Sequence, residues 1–289
     1  MPTRSSSPVS YYEPEPEGEA WSIPSLREPR YSQSLERGLA ILSSFTPEHP
    51  IRGIAEVADE LGMRRSTTHR YMSTLVALGY LEQGAARKYR LGLRVTDLGM
   101  SALNSTALRE HARPYLEELS RQSSYTVSLS VLDGPEIVYV DRVRSARRGQ
   151  GKFDLDLAPG ARLPAYCTAM GKLLAYLPEE EQHEAIKAEL SRRTDRTLTS
   201  KKVIRVGLER IRERGIAVND RELAEKLHAI AAPVRNADSK VIAAVSIAAH
   251  TSRFSYGELV LGLRSSVPVA ADQISARLRY MRAQSGITE

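Results

Sequence analysis

The feature that leaves the fewest folds open lies between Ile51 and Gly79, where two short amphipathic segments meet at a glycine. In IRGIAEVADELG the apolar residues Ile51, Ile54, Val57, Ala58 and Leu61 recur at helical spacing and Gly62 supplies a stop. A second pattern, MRRSTTHRYMSTLVALG, begins at once after it. The spacing predicts that this second helix buries Thr67, Tyr71, Leu75 and Leu78 and turns Arg64, Arg65, Thr68, His69 and Met72 outward. Two short helices joined this tightly form a helix-turn-helix. Upstream, Leu35, Leu39 and Leu42 make one stripe of a helix that starts after Ser32 and ends near Thr46-Pro47. Downstream, YLEQGAARKYRLGL reads as strands Tyr80–Gln83 and Lys88–Leu91 around a Gly-Ala-Ala tip. Residues 32–94 are therefore expected to form a winged helix-turn-helix.

A helix that enters the major groove must show side chains able to reach base edges and phosphates. The run RRSTTHR offers Arg64, Arg65, Ser66, Thr67, Thr68, His69 and Arg70 with no acid among them, and the wing adds Arg87, Lys88 and Arg90. Arginine can fork onto guanine O6 and N7, hydroxyls suit phosphates or bases, and amides at a helix start favour an anion. Taken alone, such a run is equally a solvated basic face. Its place on the second helix of a pair, followed by a hairpin, makes double-stranded DNA the expected partner.

The remainder of the 289 residues is long enough for a second, larger domain. Residues 1–31, rich in Pro and with five acids against three bases, read as a disordered arm to be left out of the fold. Residues 95–107 read as a linker helix carrying Leu98 and Ala102, and helical spacing resumes through Leu108, Ala112, Tyr115, Leu116 and Leu119. Asn104-Ser105-Thr106 between them marks the expected domain boundary. Over 108–289, TVSLSVLD and EIVYVDRV alternate as a hairpin around Gly134-Pro135, and PGARLPAYCTAMGKLLAYL reads as a loop then a helix. PEEEQHEAIKAEL and SKKVIRVGLERIRERG read as helices, HAIAAPVRN and KVIAAVSIAAH as a strand pair, and FSYGELVLGLRSSVPVAADQISARLRYMRA as a terminal helix. The expected class is α+β, with an antiparallel sheet flanked by helices in the larger domain.

Charge is a poor guide to partners here. The chain carries a net charge of +6, yet residues 32–94 hold nine bases against six acids while residues 95–289 hold twenty-nine against twenty-four. The case for DNA thus rests on placement. Of the 41 basic residues 33 are Arg, which suits a bidentate grip on phosphate or carboxylate and equally an Arg-rich proteome. No apolar run approaches the roughly 18 residues of a membrane span, and MPTRSSSPVS lacks the apolar core of a secretory signal. A cytoplasmic chain with no membrane partner is expected. Cys167 stands alone and the six histidines show no metal-ligand spacing, so neither metal nor cofactor is expected.

An enzyme is not expected either. G-x-x-x-x-G-K-[ST], G-x-S-x-G and G-x-G-x-x-G are absent, and Cys167 has no evident His partner. His228 reads as a packed or surface histidine, Asn219-Asp220 and Glu222 as turn caps in preference to hydroxyl binders, and Arg142, Arg144, Arg147, Arg148 and Lys152 as a solvated loop or a lure for an acidic effector. After Pro164, a helix starting near Tyr166–Ala169 would aim free amides at a carboxylate with Arg162 close by. A helix packed on the sheet accounts for the same residues.

SLERGLAILSSF, IAEVADELGMRRSTTHRYMSTLVALGYLE, KYRLGLRVTDLG, RLPAYCTAMGKLLA and IAAPVRNADSKVIAAVSIAAH together resemble an IclR-family transcriptional regulator over about residues 32–285. RLPAYCTAMG, VLDGPEIVYVDRV and GIAVNDREL are most similar to its PcaR/PcaU/PobR branch, which regulates the β-ketoadipate pathway and aromatic-compound catabolism. The resemblance implies a GAF-like effector domain over residues 108–289, a homodimer or homotetramer, a double-stranded operator, and a small aromatic or dicarboxylic acid as effector. It places the effector pocket at Tyr166, Thr168, Ala169, Met170 and Gly171, at Asn219 and Glu222, at His228 and Ala229, and at Ser246 with Ala248. Lys226, His228 and Ala229 stand where that branch usually has Gly, Arg and Ser, so another catabolic pathway with a different organic acid is the implied alternative. From a different class, a metabolite-binding protein or enzyme with incidental basic helices is the rival.

Overall fold

The computed structural model describes residues 32–104, 108–145, 157–187, 190–252 and 255–285. The chain divides into two compact units that part between Ser105 and Thr106. The expected arm, the 104–106 break and the basic positions 147, 148 and 152 lie wholly or partly outside the described residues.

The N-terminal unit runs α1 (Gln33–Ser43), β1 (Arg52–Gly53), α2 (Ile54–Glu60), α3 (Arg65–Ala77), β2 (Leu81–Gln83), β3 (Lys88–Leu91) and α4 (Arg94–Asn104). Ser32 caps α1 by accepting from the Leu35 amide at 3.4 Å. The core is Ile41, Phe45, Val57, Met72, Leu75, Leu81 and Tyr89. Three sequence expectations shift here. Ile41, with Phe45 just past the helix end, is the buried side of α1, while Leu35 and Leu39 remain 64% and 47% exposed. Ile51 is exposed because Arg52 and Gly53 pair with Tyr89 and Lys88 as an edge strand, so α2 begins only at Ile54. On α3, Leu75 is buried as expected, but Thr68 and Met72 turn inward with it, while Thr67 and Tyr71 are half-buried and Leu78 is exposed. Periodicity fixes a helix's repeat but leaves its phase to the partner surface.

Wing and helices are tied by polar struts. The small sheet has the order β1-β3-β2, and the wing tip is a 3₁₀ turn, Ala85–Arg87, with Ala86 and Arg87 at φ of 54° and 57°. Arg52, 8% exposed, donates to the Ser44 carbonyl at 2.7 Å and pairs with Glu60, joining the ends of α1 and α2.

The C-terminal unit begins with α5 (Leu108–Ser123), β4 (Val127–Asp133), β5 (Glu136–Val143) and β6 (Arg162–Pro164). A 3₁₀ segment (Gly171–Tyr176), α6 (Glu179–Ala185), α7 (Lys201–Arg214), β7 (Ala217–Asp220), β8 (Leu227–Arg235) and β9 (Val241–His250) follow, then α8 (Tyr256–Leu263) and α9 (Ser266–Ser285). The expected single terminal helix is thus two, and GIAVNDREL supplies an edge strand, β7. The six strands form one antiparallel sheet in the order β6-β5-β4-β9-β8-β7.

Register gives the two faces of this sheet opposite characters. Val127, Leu129, Val245, Ile247, Ile230 and Ala232 share the face on which α5 and α9 pack, with Leu116, Val267, Ala271 and Ile274 buried. The opposite face is built from small residues. One row across it reads Ala217, Ala231, Ser246, Ser128, and its neighbours read Asn219, Ala229, Ala248 on one side and Pro233, Ala244, Ser130, Tyr139 on the other. The turns after β6 and the 3₁₀ segment pack over this floor, burying Cys167, Ala169, Met170, Leu173 and Leu174.

Candidate DNA-reading face and effector site

On α3 the exposed polar residues are Arg65, Ser66, His69, Arg70, Ser73 and Thr74, preceded by Arg64 at the N-cap, and no acid stands within the helix. Arg65 lies 3.7 Å from Asp59, but both side chains are 70% exposed, so the pair holds little energy and leaves the guanidinium free to turn to another anion. Thr68 leaves the predicted reading set: it is fully buried and its hydroxyl donates to the Arg64 carbonyl at 3.2 Å. Thr67 sits at the margin. On the wing, Lys88 pairs with Glu56 of α2 and Arg90 with Glu82 across the hairpin at 2.7 Å. Arg87, at the exposed tip, has no such carboxylate among the described residues.

In the C-terminal unit the stretch after Pro164 is a series of tight turns, and helical backbone of 3₁₀ type starts only at Gly171. A Cβ on Gly171 would stand 2.2 Å from the Ala165 carbonyl oxygen, so the chain folds back too closely there for the expected helix start. Its amides are engaged as well: Gly171 N–H donates to Thr168 Oγ1 and Lys172 N–H to the Thr168 carbonyl, each at 3.0 Å. Where a helix start was expected at Tyr166–Ala169 the backbone is a run of turns, with the Thr168 amide donating to the Ala165 carbonyl at 3.3 Å.

The turn is instead stitched to the sheet edge. Asn219, 1% exposed, donates through Nδ2 to the Cys167 carbonyl and accepts at Oδ1 from the Glu222 amide at 3.1 Å. Glu222 pairs with Lys172, whose Nζ also donates to the Val218 carbonyl at 2.9 Å. The second Glu222 carboxylate oxygen, Oε2, is buried with no hydrogen-bond partner among the described residues. Tyr166 donates its hydroxyl to the Ser191 carbonyl at 2.7 Å. Thr194 and Thr197, which no sequence signal singled out, hold the Arg221 and Glu222 carbonyls at 2.7 Å each. Tyr166, Thr168, Ala169, Met170, Gly171, Asn219, Glu222, Ala229 and Ser246 are thereby gathered over or on the small-residue floor.

Two predicted residues are not. His228 follows β-strand alternation onto the face opposite Ala229, where it lies 3.2 Å from Asp220 and edge-on to the Tyr256 ring. Burial pushes its imidazole below the ordinary histidine value, with Asp220 pulling the other way and Arg221 adding to the fall. Arg162 sits at the hairpin end, forking onto Asp133 at 2.5 Å and Glu136 at 3.0 Å. It serves the β4–β5 turn.

A cavity of about 840 Å³ opens beside the gathered residues, lined among others by Ser130, Ile137, Met170, Leu173 and Ala244. Its volume is in the range of sites that take small organic ligands, roughly 300–1,000 Å³. Met170 is its one predicted residue, and the Ser130 hydroxyl lies 3.0 Å from the Met170 sulfur. Ser130 was legible only as an alternate position in TVSLSVLD, where Ser128 and Ser130 share a face. Cys167 is fully buried and its thiol is pushed up to about 12 by burial, which removes it as a nucleophile. Among the described residues no helix is long and apolar enough to cross a membrane.

The IclR helix-turn-helix domain matches residues 34–85, and the bacterial transcriptional regulator IclR C-terminal domain matches residues 100–276. The chain is similar to the Pca regulon regulatory protein of Pseudomonas putida, at 34% identity over 80% of this chain and 79% of that protein. Among solved structures, a transcriptional regulator from Rhodococcus sp. RHA1 superposes with a TM-score of 0.74 at 38% identity, covering 87% of this chain and all of that one. An IclR homolog from Microbacterium hydrocarbonoxydans, complexed with 4-hydroxybenzoate, superposes with a TM-score of 0.72 at 25% identity, covering 86% and 99%. These relatives are regulators and not enzymes. With both domains matched in order on a winged helix-turn-helix and an α+β partner, the chain belongs to the IclR family of bacterial transcriptional regulators.

Proposed function

We propose that this regulator reads a palindromic operator as a homodimer or homotetramer and is switched by a small aromatic carboxylic acid bound over the small-residue floor. Arg64, Arg65, Ser66, His69 and Arg70 are the base and phosphate contacts of α3, with Thr67 at their edge and Arg87 the leading contact of the wing. Twofold symmetry then sets the half-sites about 34 Å apart or a multiple of it. The observation that carries the sensing half is a cavity of about 840 Å³ at the edge of the floor, where Ser130 and Ala244 face Met170, Ile137 and Leu173. Separately, over the floor the buried Glu222 Oε2 lacks a donor among the described residues, and a ligand hydroxyl would satisfy such an acceptor. The 4-hydroxybenzoate held by the Microbacterium homolog and the Pca regulon of the Pseudomonas relative support an aromatic acid.

The effector acts only if it binds one DNA-spacing state better than another. The test is fluorescence anisotropy on an operator selected from random-sequence duplexes, with and without 4-hydroxybenzoate or protocatechuate. One of these acids is expected to change operator affinity by roughly 5–150-fold. Tight operator binding that ignores both acids would sink the sensing half and leave a constitutive DNA reader.

A further inference from the structure

A second cavity, of about 480 Å³, lies along the free edge of β7 between α7 and α8. Ile204, Leu208 and Ile211 of α7 give it an apolar wall, continued by Val218 and Val260, and the rings of Tyr166 and Tyr256 also line it. Every charged side chain among its described lining residues is a cation: Lys172, Arg210, Arg214 and Arg264. Lys172 is held by Glu222, but Arg210, Arg214 and Arg264 have no carboxylate partner among the described residues. The contrast with Arg113 and Arg162, each forked onto two acids, and with Arg52, paired with Glu60, sets these three apart.

Gly207 supplies an independent sign. It sits in the middle of a fourteen-residue helix capped by Ser200 and closed by Gly215 at φ 71°. Glycine in a helix interior costs about 1 kcal/mol relative to alanine. Nothing lies within 4 Å of where its Cβ would be, and its φ is not positive, so neither crowding nor backbone conformation calls for glycine. It does line the cavity, one turn before Arg210 and two before Arg214.

We infer that the β7-edge cavity is a second ligand site, distinct from the floor, which takes an amphipathic carboxylate: an apolar, aromatic body against α7 and the tyrosine rings, and its anion among Arg210, Arg214 and Arg264. Guanidinium groups suit a carboxylate because they present paired donors to its two oxygens. Lys172 lines this cavity and also holds Glu222, so the two sites share one cation.

The test uses the full chain and 3-phenylpropanoate as probe, by isothermal titration calorimetry with circular dichroism as the check on folding. Wild type is expected to bind it at millimolar concentration or better. Gly207→Leu fills the cavity while favouring the helix, and is expected to abolish that binding. Arg214→Gln combined with Arg264→Gln keeps the cavity and is expected to weaken it at least about tenfold, the equivalent of about 1.4 kcal/mol. Absence of binding to wild type, or a binding isotherm left unchanged in both variants, overturns the proposal. The operator response to 4-hydroxybenzoate is expected to persist in Gly207→Leu, which separates failure here from failure of the floor as the sensing site.

Discussion

In the N-terminal unit Arg64, Arg65 and Arg70 stand in solvent around a helix that contains no acid, whereas in the C-terminal unit Lys172 is drawn inside and neutralised by Glu222 at side-chain exposures of 12% and 9%. The same type of charge does two jobs because the dielectric around it differs. An exposed guanidinium is cheaply solvated and stays available for phosphate or base. A buried ammonium must have its partner present at all times, so it holds structure together instead.

That difference can be broken first at Lys172. Lys172→Met leaves a buried carboxylate uncompensated and is expected to lower stability by about 3–5 kcal/mol in urea unfolding, while Lys172→Met with Glu222→Leu recovers much of the loss. Equal losses in both variants would show that the pair is not what the turn depends on. At the exposed end, Arg65→Ala is expected to weaken operator binding by about 1–3 kcal/mol and to relax sequence preference. Its unfolding midpoint should not move, since its contact with Asp59 is solvated.

The wing sharpens the comparison, because it is exposed yet paired. Lys88→Ala is expected to cost less than about 1 kcal/mol of operator affinity and less than Arg87→Ala, since Glu56 already engages the Lys88 ammonium. A larger effect for Lys88 in a salt-dependence titration would mean that the pair opens on DNA. The smallest effect concerns His228. With its folded-state value below the ordinary 6.5, the unfolded chain takes up a proton that the folded chain does not. Its contribution is therefore intact above about 6.5 and declines as pH falls below that. Unfolding at pH 7.5 and 5.5 should show a smaller difference in His228→Gln than in wild type.

The reading helix was legible because its signals are local: Gly62 ends α2, apolar residues recur every third or fourth position, and the basic run falls inside one element. Its rotation was not, since the burial of Thr68 and Met72 depends on where Ile41 and Tyr89 stand. The family resemblance placed pocket residues at Tyr166–Gly171 where a helix start was expected, but that the segment is a turn, hydrogen-bonded to Asn219 and with Gly171 close to Ala165, arises only when distant segments meet. Strand alternation alone could have parted His228 from Ala229, had β8 been given its register. Ser128 and Ser246, remote in the chain, become neighbours through backbone pairing that no local pattern encodes.

The row Ala217, Ala231, Ser246 and Ser128 has a further implication for how such a regulator diversifies. Its side chains rise from a lattice whose spacing is set by main-chain hydrogen bonds and not by the side chains themselves. Adding a methyl or a hydroxyl at one point of this grid trims the space above it while the points around it hold their places. If the effector rests there, its size and polarity are recorded as a few atoms of relief on a fixed pegboard, and a descendant can come to sense a new compound by single substitutions that leave the path of the chain untouched.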